Sequence, residues 1–97
     1  MSETVIRQYY HNNSSIIVTQ TSDASYARDC FDGSEREWHE VLGESEDGNF
    51  YIVSSGLSGL YMADEVSVFG VKADALRSAA DTYERWKEED EETEAIA

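Results

Sequence analysis

Apolar residues recur through the second half of this chain at alternating spacings of three and four: Val66, Phe69, Ala73, Leu76, Ala80 and Tyr83. Such spacing lines one face of a helix with a single apolar stripe. It predicts helix from Asp64 onward, with Asp64 as the N-cap and Trp86 near the far end. Gly70 falls inside the pattern and divides it into a short first helix and a long second one, about Val71 to Glu92. The chain contains no proline, so nothing forces a further break.

The first half has a different rhythm. TVIRQYY, from Thr4 to Tyr10, is β-branched and aromatic and reads as a strand. HNNSS is turn chemistry, and IIVTQT, from Ile16 to Thr21, resumes as a second strand, which makes an antiparallel hairpin. DASYARDCF, from Asp23 to Phe31, fits a short helix capped by Ser22 or Asp23. GSEREWHEVLG has two readings. Ser34 and Glu37 match a capping box for a helix from Glu35 to Leu42 closed by Gly43. Alternation places Trp38 and Glu40 opposite His39 and Val41, a strand leading through GESEDGN as a hairpin turn. The hairpin is the preferred reading. NFYIVSSG is a strand with Phe50 and Ile52 on one face and Tyr51 and Val53 on the other. GLYM, after it, adds another short strand.

These segments predict one α+β domain over residues 1–97. A small antiparallel sheet of hairpins packs with a long, acidic C-terminal helix, and about 91–97 form a frayed acidic tail. The length allows a small core, and a hydrophobic share of 40% with 11% aromatics is enough to close it. Trp38 and Trp86 belong in or over that core.

Charge narrows the functional classes. There are 21 Asp and Glu against 7 Lys and Arg, a net charge of −14. Self-repulsion on this scale works against a compact monomer. It disfavours direct contact with nucleic acid or anionic membrane, both polyanions, and points to cationic partners. Cys30 is the single cysteine, so no internal disulfide forms. MSETVIRQYYHNN has no apolar core of a signal peptide, and no run approaches a membrane span, so a cytoplasmic location is expected.

Enzyme chemistry is not indicated. His11 and His39 lie far apart in sequence, outside any nucleophile motif, and Cys30 fits a small buried hydrophobe better than a nucleophile. Phosphate-binding glycine motifs and HExxH are absent, and SEDGN lacks the alternating ligands of a calcium loop. No metal and no cofactor is expected.

The acids of the helix are the remaining signal. Asp74, Asp81 and Glu88 repeat every seven residues, Glu84 precedes Glu88 by four, and Asp64 and Glu65 lie ahead of the helix. At ~1.5 Å rise per residue, carboxylates four apart stand about 6 Å apart, an ordered row of negative charge such as a phosphate backbone also offers. Glu35, Glu37, Glu44, Glu46 and Asp47 supply a second row from the expected hairpin. Arg77, Arg85 and Lys87 partly neutralise the first, as on an ordinary wet helix face. The excess over the whole chain nevertheless exceeds what solubility requires.

CFDGSE (Cys30 to Glu35), NFYIVSSG, LYMADE and ADALRSAADTYERWKEE together resemble the small acidic anti-CRISPR proteins, especially those that inhibit the type I-F surveillance complex by mimicking DNA. The likeness covers roughly residues 30 to 90. It implies a non-enzymatic inhibitor that fills the basic groove where target duplex enters a guide-RNA complex, its carboxylates against Lys and Arg of Cas subunits. The residues carried over are Asp64, Glu65, Asp74, Asp81, Glu84, Glu88 and Glu89. Two alternatives stand beside it. One is an acidic protein of a salt-adapted cytosol, since only Lys72 and Lys87 are lysines. The other is a DNA mimic aimed at a different DNA-binding enzyme.

Overall fold

The computed structural model describes residues 3–57 and 65–96. Its elements run β1 (Thr4–His11), β2 (Ser14–Thr21), α1 (Ala24–Cys30), α2 (Glu35–Glu44), β3 (Phe50–Leu57), β4 (Glu65–Phe69) and α3 (Lys72–Ile96). The architecture is α+β. The four strands pair in chain order, each antiparallel to the next, with α1 and α2 inserted between β2 and β3.

Alternation along the strands divides the apolar residues between two cores. Ile16 and Val18 of β2, with Tyr51 and Val53 of β3, meet Ala75 and Ala79 of α3 on one face of the sheet. Phe50, Ile52 and Val68 face the other way and meet Ala27 of α1 and Trp38 of α2. The sheet is therefore sandwiched between α3 on one side and α1 with α2 on the other. Alanines at the α3 contact let the helix backbone approach the sheet closely. Tyr83 then stacks on Tyr9 at 4.9 Å and meets the edge of His11 at 6.2 Å, which fixes the rotation of α3 about its axis.

The first hairpin forms as expected, with Asn12 in the left-handed region (φ 54) that asparagine tolerates. α1 is capped by Asp23, whose Oδ1 accepts from the Tyr26 N–H at 3.1 Å. The preferred hairpin for GSEREWHEVLG is overturned: the segment is helix α2. Ser34 Oγ accepts from the Glu37 N–H at 3.2 Å and the Glu37 carboxylate accepts from the Ser34 N–H at 3.4 Å, so the capping box closes. As a helix, the segment turns Trp38 inward, between Phe31 and Phe50 at 5.5 Å from each, with Val41 and Leu42 half-buried against the same core. Gly43 lies inside α2 rather than ending it, and the Ser45 N–H donates back to the Leu42 carbonyl at 3.3 Å.

The helix expected ahead of Gly70 is also corrected. EVSVF is strand β4, zipped to Tyr51–Ser55 of β3, so Val66 and Phe69 do not belong to the helical stripe. A period-two reading of Val66 and Val68 competes with the three-and-four spacing, and the ladder to β3 decides it. α3 begins at Lys72, and its buried line is Ala75 and Ala79 with Leu76, Tyr83 and Trp86; Ala73 is exposed. Gly70 is needed where it stands. A Cβ there would lie 2.5 Å from the Val41 carbonyl oxygen at the end of α2. The expected GLYM strand and the Asp64 cap lie outside the described residues.

Candidate functional site

The packing of α3 decides where its carboxylates point. A heptad spacing drifts about 20° on a straight helix, so Asp74, Asp81 and Glu88 stay within an arc of about 40°. That arc lies opposite Ala75, Ala79 and Tyr83. Asp81, Glu84, Glu88 and Glu89 are exposed and Asp74 is half-buried. From Asp74 to Glu88 the row runs about 21 Å. Its first half is not purely acidic. Asp74 and Asp81 share a shallow groove with Arg77, Arg85, Ser78 and Thr82 along Phe69, so charges of both signs alternate there.

Two of the sequence-derived residues leave the row. Glu65 opens β4 and borders a recess with Ser14, Ser55, Thr82, Arg85 and Trp86. Glu89 turns to the flank of α3, beside His11, Asn12, Ser14 and Trp86 at the β1–β2 turn. Asp64 lies outside the described residues. The structure thus keeps Asp74, Asp81 and Glu88 along one line of α3, with Glu84 beside Glu88 one turn back, and sets Glu65 and Glu89 apart from them.

The second acidic surface is denser than the first. Between Asp29 and Asp47 stand Asp29, Asp32, Glu35, Glu37, Glu40, Glu44, Glu46 and Asp47, all exposed; the one cation in that span is Arg36, and Lys72 of α3 borders Glu44, Glu46 and Asp47 from outside it. Over Lys72 to Glu89, by contrast, Lys72, Arg77, Arg85 and Lys87 nearly match the five carboxylates. The hairpin reading found Glu35, Glu37, Glu44, Glu46 and Asp47 but missed Asp29, Asp32 and Glu40. The capping box was the signal that could have found Glu40, since it places Glu37, Glu40 and Glu44 three and four apart on one helix.

α2 is held rigidly enough to present fixed charge. Trp38 anchors it in the core, and the Arg28 guanidinium lies 6.0 Å from the centre of the Phe31 ring and 5.9 Å from that of Trp38. The turn after α2 is equally defined. The Asn49 N–H donates to Asp47 Oδ1 at 2.9 Å, the Tyr51 hydroxyl donates to Asp47 Oδ2 at 2.6 Å, and Ser45 Oγ donates to the Asn49 carbonyl at 2.8 Å. The hydrogen bond from Tyr51, with those from Asn49, holds the Asp47 carboxyl below its usual range, so it stays ionised.

Cys30 is half-buried against the Trp38 core, and burial pushes its thiol up, which lowers the thiolate fraction a nucleophile needs. His39 is exposed on α2 with Nε2 4.0 Å from Glu35 Oε1. Among the described residues no three His, Cys, Asp or Glu side chains converge as a metal set, and no helix is long and apolar enough to cross a membrane.

Compared with family models, with curated proteins and with solved structures, the chain gives no match in any of the three.

Proposed function

We propose that this protein is a non-enzymatic inhibitor that mimics double-stranded DNA and blocks target binding by a CRISPR surveillance complex. The observation that supports it best is the run of eight exposed carboxylates from Asp29 to Asp47 against one cation, on and beside a helix anchored by Trp38. The carboxylates of Asp74, Asp81, Glu84 and Glu88 lie across the sheet, so both sides of an elongated body of 47 × 24 × 22 Å carry carboxylates, densely beside α2 and interspersed with Arg77, Arg85 and Lys87 along α3. A duplex likewise presents two rows of fixed negative charge along its sides. The partner is the basic DNA-binding groove of a protein or ribonucleoprotein, with Lys and Arg meeting carboxylates in place of phosphates. No turnover, cofactor or metal enters this mechanism. Long-range attraction speeds the encounter, and affinity falls as salt rises.

The test mixes the purified protein with the surveillance complex before labelled target duplex is added. Loss of duplex binding is expected. Undiminished binding at excess protein refutes the reading. Lys substitutions at Glu35, Glu40 and Glu44, and separately at Asp74, Asp81 and Glu88, divide the effect between the two surfaces. If both triple variants inhibit normally, neither surface is the site.

A further inference from the structure

We propose that strand β1 is a self-association edge, to which a second copy of this chain adds its own β1, antiparallel, across a two-fold axis. β1 ends the sheet, and among the described residues no strand pairs with its outer side, so a line of backbone donors and acceptors faces outward. Its side chains are unusual for this chain. From Thr4 to Ser22 there is no Asp or Glu, the longest such stretch in a molecule with 21 carboxylates, and Arg7 is its one fixed charge.

Two exposed apolar residues mark the same edge. Val5 is 51% and Tyr10 61% exposed. Five positions apart, they would ordinarily point to opposite faces. The register shift between Val5 and Arg7 places Val5 opposite Thr19 and Tyr10 opposite Ser15, so both emerge on the face that carries α1 and α2. The bulge also limits the regular template to Arg7–His11.

Charge identifies the occupant. A cationic partner is drawn to the carboxylates of α2 and α3, not to the hairpin. A partner as acidic as this chain is repelled least at this edge, which carries no carboxylate along its length and meets them only at its ends, Glu3 ahead of Thr4 and Glu89 beside the β1–β2 turn. A second copy meets that condition, and an antiparallel strand pair satisfies the two-fold symmetry of a homodimer. One strand pair with two apolar side chains falls short of the ~1,000 Å² of a stable interface, so the dimer is weak and reversible. Each copy carries −14, so salt that screens the repulsion tightens the dimer. Binding to a basic groove has the opposite salt dependence.

The test is sedimentation of the whole chain from micromolar to millimolar concentration, at about 0.1 M and about 1 M salt. The expected result is a monomer–dimer equilibrium that tightens with salt. Amide exchange should slow in residues 4–11 as protein concentration rises. Val5→Glu and Tyr10→Glu put a carboxylate on the edge and should weaken the dimer roughly tenfold or more. Val66→Glu, at an exposed site on β4 at the opposite edge of the sheet, should not, and circular dichroism verifies that each variant folds. A chain that stays monomeric throughout, a dimer indifferent to the edge variants, or a dimer that loosens with salt overturns the proposal. If the chain stays monomeric while an unrelated strand-forming peptide protects the amides of residues 4–11, the edge takes another protein's strand and self-pairing is wrong.

Discussion

The hydroxyl of Tyr51, whose ring lies in the core beneath α3, donates to the Asp47 carboxylate at the surface across 2.6 Å. One bond thus ties the acidic turn after α2 to the core on the far face of the sheet. It also sets two pH limits. Burial, then the Asp47 carboxylate, pushes the Tyr51 phenol up to about 12 from 10.0. A raised phenol contributes stability that is whole below pH 10 and is lost as pH rises to about 12. Asp47 is lowered, so its contribution is present above the ordinary carboxylate range and is lost as pH falls through the depressed value. Denaturation midpoints for wild type and Tyr51→Phe should therefore differ most near neutrality and converge towards pH 12. Parallel curves across that window would show that the bond carries no such linkage.

α2 should depend measurably on its cap. Ser34→Ala removes the oxygen that accepts from the Glu37 N–H and should cost about 1 kcal/mol in urea unfolding. Because Glu37 returns the bond to Ser34, Glu37→Ala added to Ser34→Ala should cost less than the sum of the two single changes. Full additivity would mean that the box is not cooperative.

How much of this was legible in the sequence turns on which signal each segment carried. The hairpin of β1 and β2 was readable because turn chemistry lies between two β-branched runs. In α2 alternation points to strand and the capping box to helix. Yet Ser34 and Glu37 determine the first turn locally, whereas the alternation had no partner strand to satisfy. EVSVF failed for the reverse reason. Val66 and Phe69 fit the helical spacing by coincidence, and only the ladder to Tyr51–Ser55, a long-range fact, makes them strand. Among the acids singled out, Asp74, Asp81 and Glu88 share one line because α3 is helical there. Glu65 is separated from it by β4, and Glu89 by its position on the flank of the helix.

Gly70, between β4 and α3 in the chain, meets the end of α2 at a contact with no room for a side chain. Gly70→Ala would bring a Cβ within 2.5 Å of the Val41 carbonyl oxygen and 3.0 Å of the Ser45 nitrogen, both backbone. Neither can swing aside as a flexible side chain could. The expected loss is about 1–3 kcal/mol by chemical denaturation. A neutral outcome would place Gly70 further from α2 than described.

Salt separates a DNA mimic from a salt-adapted protein. Both cores are closed by ordinary apolar packing, Ile16, Val18, Tyr51 and Val53 on one face and Trp38, Phe50 and Ile52 on the other. The fold should therefore persist at low salt, with a melting temperature that rises modestly as salt screens the −14 charge. Circular dichroism melts over a salt series measure this. Unfolding at low salt would favour the salt-adapted reading.

Glu44 allows stability and function to be opposed in one residue. It ends α2, where carbonyls leave partial negative charge, and no basic residue occupies that last turn. A carboxylate there is locally unfavourable, and its neighbours Glu40, Glu46 and Asp47 add to the repulsion, which Lys72 across the adjoining recess offsets only in part. Glu44→Lys should therefore stabilise the fold by about 0.3–1 kcal/mol, an effect that fades with salt. If the surface substitutes for phosphates, the same change should weaken inhibition of duplex binding. A stabilised variant that inhibits less indicates that the carboxylate is kept for its partner at the fold's expense. A stabilised variant that inhibits equally well removes Glu44 from the contact, and a destabilised one shows that Glu44 is held by local packing rather than by charge.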